Sequence, residues 1–170
     1  MTPSTDMTLG TAVDWRFAAT VGVRLARPGP PSTDYTRRRV IDELTTAAAL
    51  MDSSGLSVDD RLTAKTLDGT VQAAAGPDQP PLRALLDLLP IAGGSGTLAD
   101  RFLDTATNQG PAGWLRAKTG SLTAINALAG VLTDRSGRVL TFAFLSNDAG
   151  PNGRNVMDAL ASKLWTCGCG

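Results

Sequence analysis

The 170-residue chain contains no histidine. That absence removes every Ser-His-Asp triad, Cys-His dyad and histidine-ligated metal site from within the chain, so a hydrolase built here needs lysine or a carboxylate as its base. Aromatic residues are scarce, at 5% against 42% apolar residues in all, so the core must rest on Ala, Leu and Val. Neither sign of charge is in excess: Lys plus Arg and Asp plus Glu number 16 each. A balanced charge leaves no electrostatic footprint for nucleic acid or for an anionic membrane surface. No apolar run reaches the roughly 18 residues of a transmembrane helix. Met1 to Asp14 lacks the basic start of an export signal, and "WRFAATVGVRL" (15–25) carries arginines inside its apolar stretch. The only cysteines, Cys167 and Cys169, lie in the closing "TCGCG". One CxC pair without further ligands cannot complete a four-coordinate zinc site, so an exposed tail at 167–170 and no metal centre are expected.

What is present falls into three stretches. Residues 1–38 are poorly patterned and end in a Pro-rich basic linker, "RPGPPSTDYTRRR" (27–39), so they form an unassigned N-terminal segment. From 39 to 166 the pattern is regular. Val40, Ile41, Leu44, Ala47, Ala48 and Met51 recur at helical spacing. "DSSGLSVDD" (52–60) reads as a polar loop, and a helix follows from about Thr63 to Ala75 with Leu67, Val71 and Ala74 on one face. "GPDQPP" (76–81) breaks it. Leu82, Leu85, Leu86 and Leu89 predict a short amphipathic helix, "IAGGSGT" (91–97) a glycine loop, and 98–103 a short helix.

After "NQGPAG" the apolar period changes from helix to strand. Strands are expected at 114–121, 125–133 and 138–147, with "TDRSGR" (133–138) as a hairpin turn between the last two. Both faces of these strands are apolar, so the antiparallel sheet should be covered on both sides. A final helix over about 152–165 offers Val156, Met157, Leu160 and Leu164 as one covering stripe. The fold class is therefore α+β, helices packed on an antiparallel sheet.

Two motifs carry chemistry. "IAGGSGT" invites a phosphate-loop reading, but a P-loop needs lysine after its last glycine, and Thr97 stands there. A turn leading into a helix, with Thr97 as its N-cap, is the better reading. Lys118-Thr119-Gly120, at the end of a predicted strand, suits an anionic, peptide-like ligand. A strand edge can pair with an extended peptide. Lys118 offers a positive charge to a carboxylate, Thr119 and Ser121 offer hydroxyls, and Gly120 lets a ligand approach without a Cβ in the way. K-T-G by itself is a short match, and a solvated strand lysine is the plain alternative.

The three stretches "DSSGLSVDDRLT" (52–63), "LLPIAGGSGTLADRF" (88–102) and "RAKTGSLTAINALAGVLTDRSG" (116–137), in that order, resemble the S13 class of penicillin-binding proteins, the D-alanyl-D-alanine carboxypeptidases of the penicillin-binding protein 4 type. The resemblance covers about residues 51–165. It implies a partial penicillin-binding, β-lactamase-like transpeptidase fold. It also implies serine-type hydrolysis of the terminal D-Ala-D-Ala bond of peptidoglycan peptides, with β-lactams as substrate mimics, no cofactor, and a location outside the cytoplasm.

Within the resemblance, Lys118-Thr119-Gly120 and Ser121 line the substrate cleft. Ser57 is the serine of the S-x-N motif, relaying protons; Ser57 and Lys118 are the catalytic pair that assists the nucleophile, and Asp59 (or Asp60, by a slip of one) takes the asparagine position at the substrate. The asparagine amide both donates and accepts, whereas a carboxylate only accepts. The nucleophile motif S-x-x-K is absent: the residues three before Lys65, Lys118 and Lys163 are Leu62, Leu115 and Leu160. The resemblance places that motif far upstream, together with the first strands of the sheet. A catalytically inactive fragment, or a peptide-binding or structural module, is the alternative function.

Overall fold

The computed structural model of the chain describes residues 20–25, 55–57, 60–103, 110–148 and 150–167. The helix expected at 40–51 and the residues Val58 and Asp59 lie outside them. A four-stranded antiparallel sheet carries the fold: β1 (Thr20–Leu25), β2 (Leu115–Leu122), β3 (Ile125–Thr133) and β4 (Val139–Asn147), in the spatial order β1-β4-β3-β2. β1 comes from the stretch whose sequence showed no clear pattern and pairs along its length with β4, Thr20 opposite Leu145 and Leu25 opposite Leu140. The three later strands form a meander, which leaves β2 as an edge.

Helices cover both faces of the sheet, as the two-sided apolar pattern requires. On one face Leu115, Ala117, Leu128, Leu132, Phe142 and Phe144 are buried against Met157, Ala161 and Leu164 of the last helix, α3 (Gly153–Cys167). The stripe on α3 is 157-161-164. Val156, expected to point inward, is 36% exposed, because the helix turns it away from Met157 by 100°. The Phe142 and Phe144 rings lie 5.0 Å apart and fill the centre. On the other face α1 (Ala64–Ala75) packs Ala64 and Val71, with Leu67 beside them, against Ala129 and Ala143. Small residues on both sides let the helix approach the sheet closely. Thr63 starts α1: its Oγ1 accepts the Thr66 N–H at 3.1 Å, satisfying one of the helix's orphan donors.

Two further expectations need correction. The 80–89 stretch folds as a one-turn 3-10 helix (Pro80–Arg83) running into a five-residue α2 (Ala84–Leu88). Leu82, Leu85 and Leu88 are exposed on it and only Leu89 is buried; a helix this short presents no continuous face. The helix expected at 98–103 is instead one 3-10 turn, Gly96–Leu98, followed by turns. Gly96 (φ 54°) and Phe102 (φ 65°) are left-handed, which ends regular helix on either side. Thr97 therefore sits inside the turn and caps nothing.

The β3–β4 hairpin is held by a buried carboxylate. Asp134 accepts from the Ser136 N–H at 2.8 Å, the Ser136 hydroxyl at 2.7 Å, the Arg138 N–H at 3.0 Å and the Arg138 Nε at 2.9 Å. Burial opposes the charge and is the largest single influence. The hydrogen bonds from Ser136 and Arg138 together outweigh it and hold the pKa at about 2, below the ordinary 3.8. A depressed carboxylate stabilises the fold above its unfolded pKa, and that contribution is lost as pH falls from about 4 through about 2. Asp134→Asn should lower stability by about 2 kcal/mol at pH 7, the scale of a hydrogen bond to a charged group. It should cost far less at pH 2. Urea melts of both proteins at the two pH values check this; an equal loss at both would show that charge is not what matters.

Candidate functional site

The edge position of β2 builds the site. Along its first half the outer edge is already occupied: the Ala92 N–H donates to Leu115 O at 2.9 Å and the Ala117 N–H to Pro90 O at 3.0 Å. In an antiparallel strand, residues two apart direct their N–H and C=O groups the same way. Thr119 and Ser121 therefore present theirs outward too, past the point where the 90–92 segment turns off. Among the described residues no strand pairs with this part of the edge. Lys118 is exposed, and its ammonium folds back to donate to Thr119 O at 2.6 Å.

That open half-strand borders a cleft of about 510 Å³ lined by Lys118, Thr119, Gly120, Ser121 and Leu122 on one side. Gly55 and Leu56, Thr97 and Arg101, and Arg154 complete the wall. Thr119 Oγ1 donates to Thr97 Oγ1 at 2.9 Å, which ties the K-T-G strand to the glycine loop. Arg101 is anchored from behind: both Asp158 carboxylate oxygens accept from its guanidinium, the Nε contact at 3.2 Å, and both side chains are largely buried. Arg154 stands in the first turn of α3 and is exposed. A neighbouring depression of about 480 Å³ shares Ser121, Leu122 and Arg154 and continues past Asn126 and Asn155.

The structure thus gathers Lys118, Thr119, Gly120 and Ser121 at one cleft. Ser57 adjoins it: its neighbours Gly55 and Leu56 line the wall, and its carbonyl accepts the Asp60 N–H at 3.3 Å, closing a tight turn. Asp59 is outside the described residues. Thr97, Arg101 and Arg154 were not singled out as site residues from sequence. Each reaches the cleft from a different element, and only the fold shows that they converge. Two exposed cations, Lys118 and Arg154, with the ion-paired Arg101 beside them, border an open strand edge of the kind that can pair with an extended, anionic peptide.

The sequence model of the D-Ala-D-Ala carboxypeptidase 3 (S13) family matches residues 18–164. The chain belongs to the S13 family. Over 125 residues, 74% of its length, it is 83% identical to a carboxypeptidase of Mycobacterium tuberculosis, of which it covers 27%. Over 158 residues, 91% of its length, it is 61% identical to the carboxypeptidase DacB of Mycolicibacterium smegmatis, of which it covers 34%. The chain spans about a third or less of these curated relatives. Among solved structures it is similar to penicillin-binding protein 4 of Haemophilus influenzae, with a TM-score of 0.60 and 26% identity, covering 71% of this chain and 28% of that one. A second structure of that protein holds a β-lactam. The α+β, helices-on-antiparallel-sheet architecture read from the sequence is accordingly that of part of a penicillin-binding domain, and the chain corresponds to a C-terminal part of an S13 carboxypeptidase.

Proposed function

We propose that the chain, principally residues 39–166, supplies the substrate-binding wall of a serine-type D-alanyl-D-alanine carboxypeptidase acting on peptidoglycan peptides outside the cytoplasm. The observation that carries this is the half-open edge of β2. The outward N–H and C=O groups of Thr119 and Ser121 face a cleft lined by Lys118, Arg101 and Arg154. A peptide laid antiparallel against that edge gains backbone hydrogen bonds there, and its terminal carboxylate meets the hydroxyls of Thr119 and Ser121 within a positive field. Lys118 releases Thr119 O when the peptide takes that acceptor, and its ammonium becomes available to the ligand. A β-lactam, which carries a carboxylate beside a strained amide, fits the same groups.

The reaction proceeds through an acyl-enzyme on a serine, hydrolysed by water. No lysine of this chain has a serine three residues before it, so the nucleophile must come from another segment. In this reading Ser57 relays protons beside that serine, and Asp59 stands where the family's asparagine would contact the substrate. The missing S-x-x-K also favours a second reading, in which the chain binds peptide without turnover.

Fluorescent penicillin followed by a denaturing gel tests both readings. The folded chain alone should show no labelled band. Adding a segment that carries S-x-x-K from an S13 relative should produce a band on that segment. Labelling of the chain alone that disappears in Ser57→Ala would mean that Ser57 is itself a nucleophile, against the proposal.

A further inference from the structure

We infer that Thr97 is a positioning residue for the ligand's carboxylate, acting through Thr119; the inference rests on the cleft being the peptide site. The hydroxyl pair Thr119–Thr97, at 2.9 Å, is the side chain–side chain hydrogen bond that the K-T-G segment makes among the described residues. A threonine hydroxyl on an exposed strand edge has more than one staggered rotamer open to it. The bond to Thr97 selects the one that holds Oγ1 over the cleft.

Thr97 is well built for that task, because its own position has little freedom. It lies between Gly96, whose left-handed backbone leaves little room for a Cβ beside Pro90, and Leu98, which is fully buried. The Leu98 carbonyl accepts the Gly93 N–H at 2.9 Å, and the Ile91 N–H donates to Ser95 Oγ at 3.0 Å, so the glycine loop closes on itself. Four residues on, Arg101 is fixed to Asp158 of α3. Thr97 is therefore a hydroxyl on a rigid platform, facing a hydroxyl on an edge strand.

A hydroxyl donates one hydrogen and accepts on two lone pairs. Without ligand, Thr119 donates to Thr97. When a carboxylate arrives, rotation about the two Cβ–Oγ bonds reverses the pair: Thr97 donates to Thr119, and Thr119 donates to the carboxylate. No proton changes owner. The second hydroxyl polarises the first and makes it a better donor than a lone threonine.

The test is a titration of the folded chain with N-acetyl-D-Ala-D-Ala, in the parent, Thr97→Val and Thr97→Ser, with Thr119 χ1 read from three-bond couplings in the same samples. Thr97→Val keeps the shape and removes the hydroxyl. It should weaken binding about fivefold, within the range of one hydrogen bond, and spread Thr119 over more than one rotamer. Thr97→Ser should bind within twofold of the parent, a rescue that a packing role for the methyl group would not give. Parent-like affinity in Thr97→Val overturns the inference while leaving the cleft reading intact. Failure of the parent to bind the dipeptide overturns the cleft reading, and this inference with it.

Discussion

Lys118→Ala should weaken binding of N-acetyl-D-Ala-D-Ala by about tenfold. A hydrogen bond to a charged group contributes about 1.5–3 kcal/mol, and 1.4 kcal/mol is a factor of ten in affinity. The lower end applies because Lys118 is exposed until a ligand covers it, so its charge is screened in the free protein. The loss should shrink as salt is raised, since the ammonium acts at the mouth of a solvent-filled cleft. Lys118→Arg keeps the charge but replaces a point donor with a planar fork, so recovery should be partial. Calorimetric titrations at low and high salt measure all three. An unchanged affinity in Lys118→Ala would remove the lysine from the site and leave it as a solvated strand residue.

Gly130→Ala should cost about 3 kcal/mol of stability, the largest effect on the fold expected from so small a change. Gly130 sits on β3 directly opposite Ala117 of β2. A Cβ there would lie 2.0 Å from Arg116 O, 2.6 Å from the Ala117 Cα and 2.8 Å from the Ala117 Cβ. Two of these neighbours are backbone, and Ala117 is completely buried, so nothing flexible can move aside. Relief requires the edge strand to shift away from β3, which displaces the K-T-G segment that begins at the next residue, Lys118. Overpacking usually costs about 1–3 kcal/mol, and a backbone clash lies at the top of that range. For a chain of this size the melting temperature should fall by about 10 °C. Gly120→Ala, on the partner strand β2, is the control. Its Cβ would meet only the Ala127 Cβ, at 3.1 Å, so a few tenths of an ångström suffice and stability should hardly change. Equal losses in the two variants would show that the β2–β3 spacing at Gly130 does not set the cost.

The sheet was legible where local pattern and tertiary burial agree. β3 was placed at 125–133 from its apolar alternation and turn residues, and β2 and β4 to within a residue. Thr63 and the Gly76-Pro77 pair bounded α1 because capping chemistry is local. Pattern failed where the deciding interactions were elsewhere. In β1, Gly22 and Arg24 dilute the apolar signal, and its strand character comes from pairing with β4 more than a hundred residues away. The left-handed Phe102 breaks an apparently good helix, and no local rule predicts positive φ at a phenylalanine.

At the site, Lys118-Thr119-Gly120 stood out because a lysine and a glycine on a strand have a chemical use, although the structure puts them inside β2 and not at its end. Thr97, Arg101 and Arg154 had none that the sequence could reveal. Thr97 gains its meaning from a hydroxyl 22 residues away, and Arg101 from a carboxylate 57 residues away.

The central claim is that the open half of the β2 edge receives the peptide. The most direct measurement follows backbone amide resonances of the ¹⁵N-labelled chain during titration with N-acetyl-D-Ala-D-Ala. The Thr119 and Ser121 amides should shift furthest and exchange more slowly with solvent once ligand is bound. The Ala117 amide, already bonded to Pro90 O, should stay protected throughout. Saturable shifts centred elsewhere, or no change at Thr119 and Ser121 at millimolar peptide, would contradict the account.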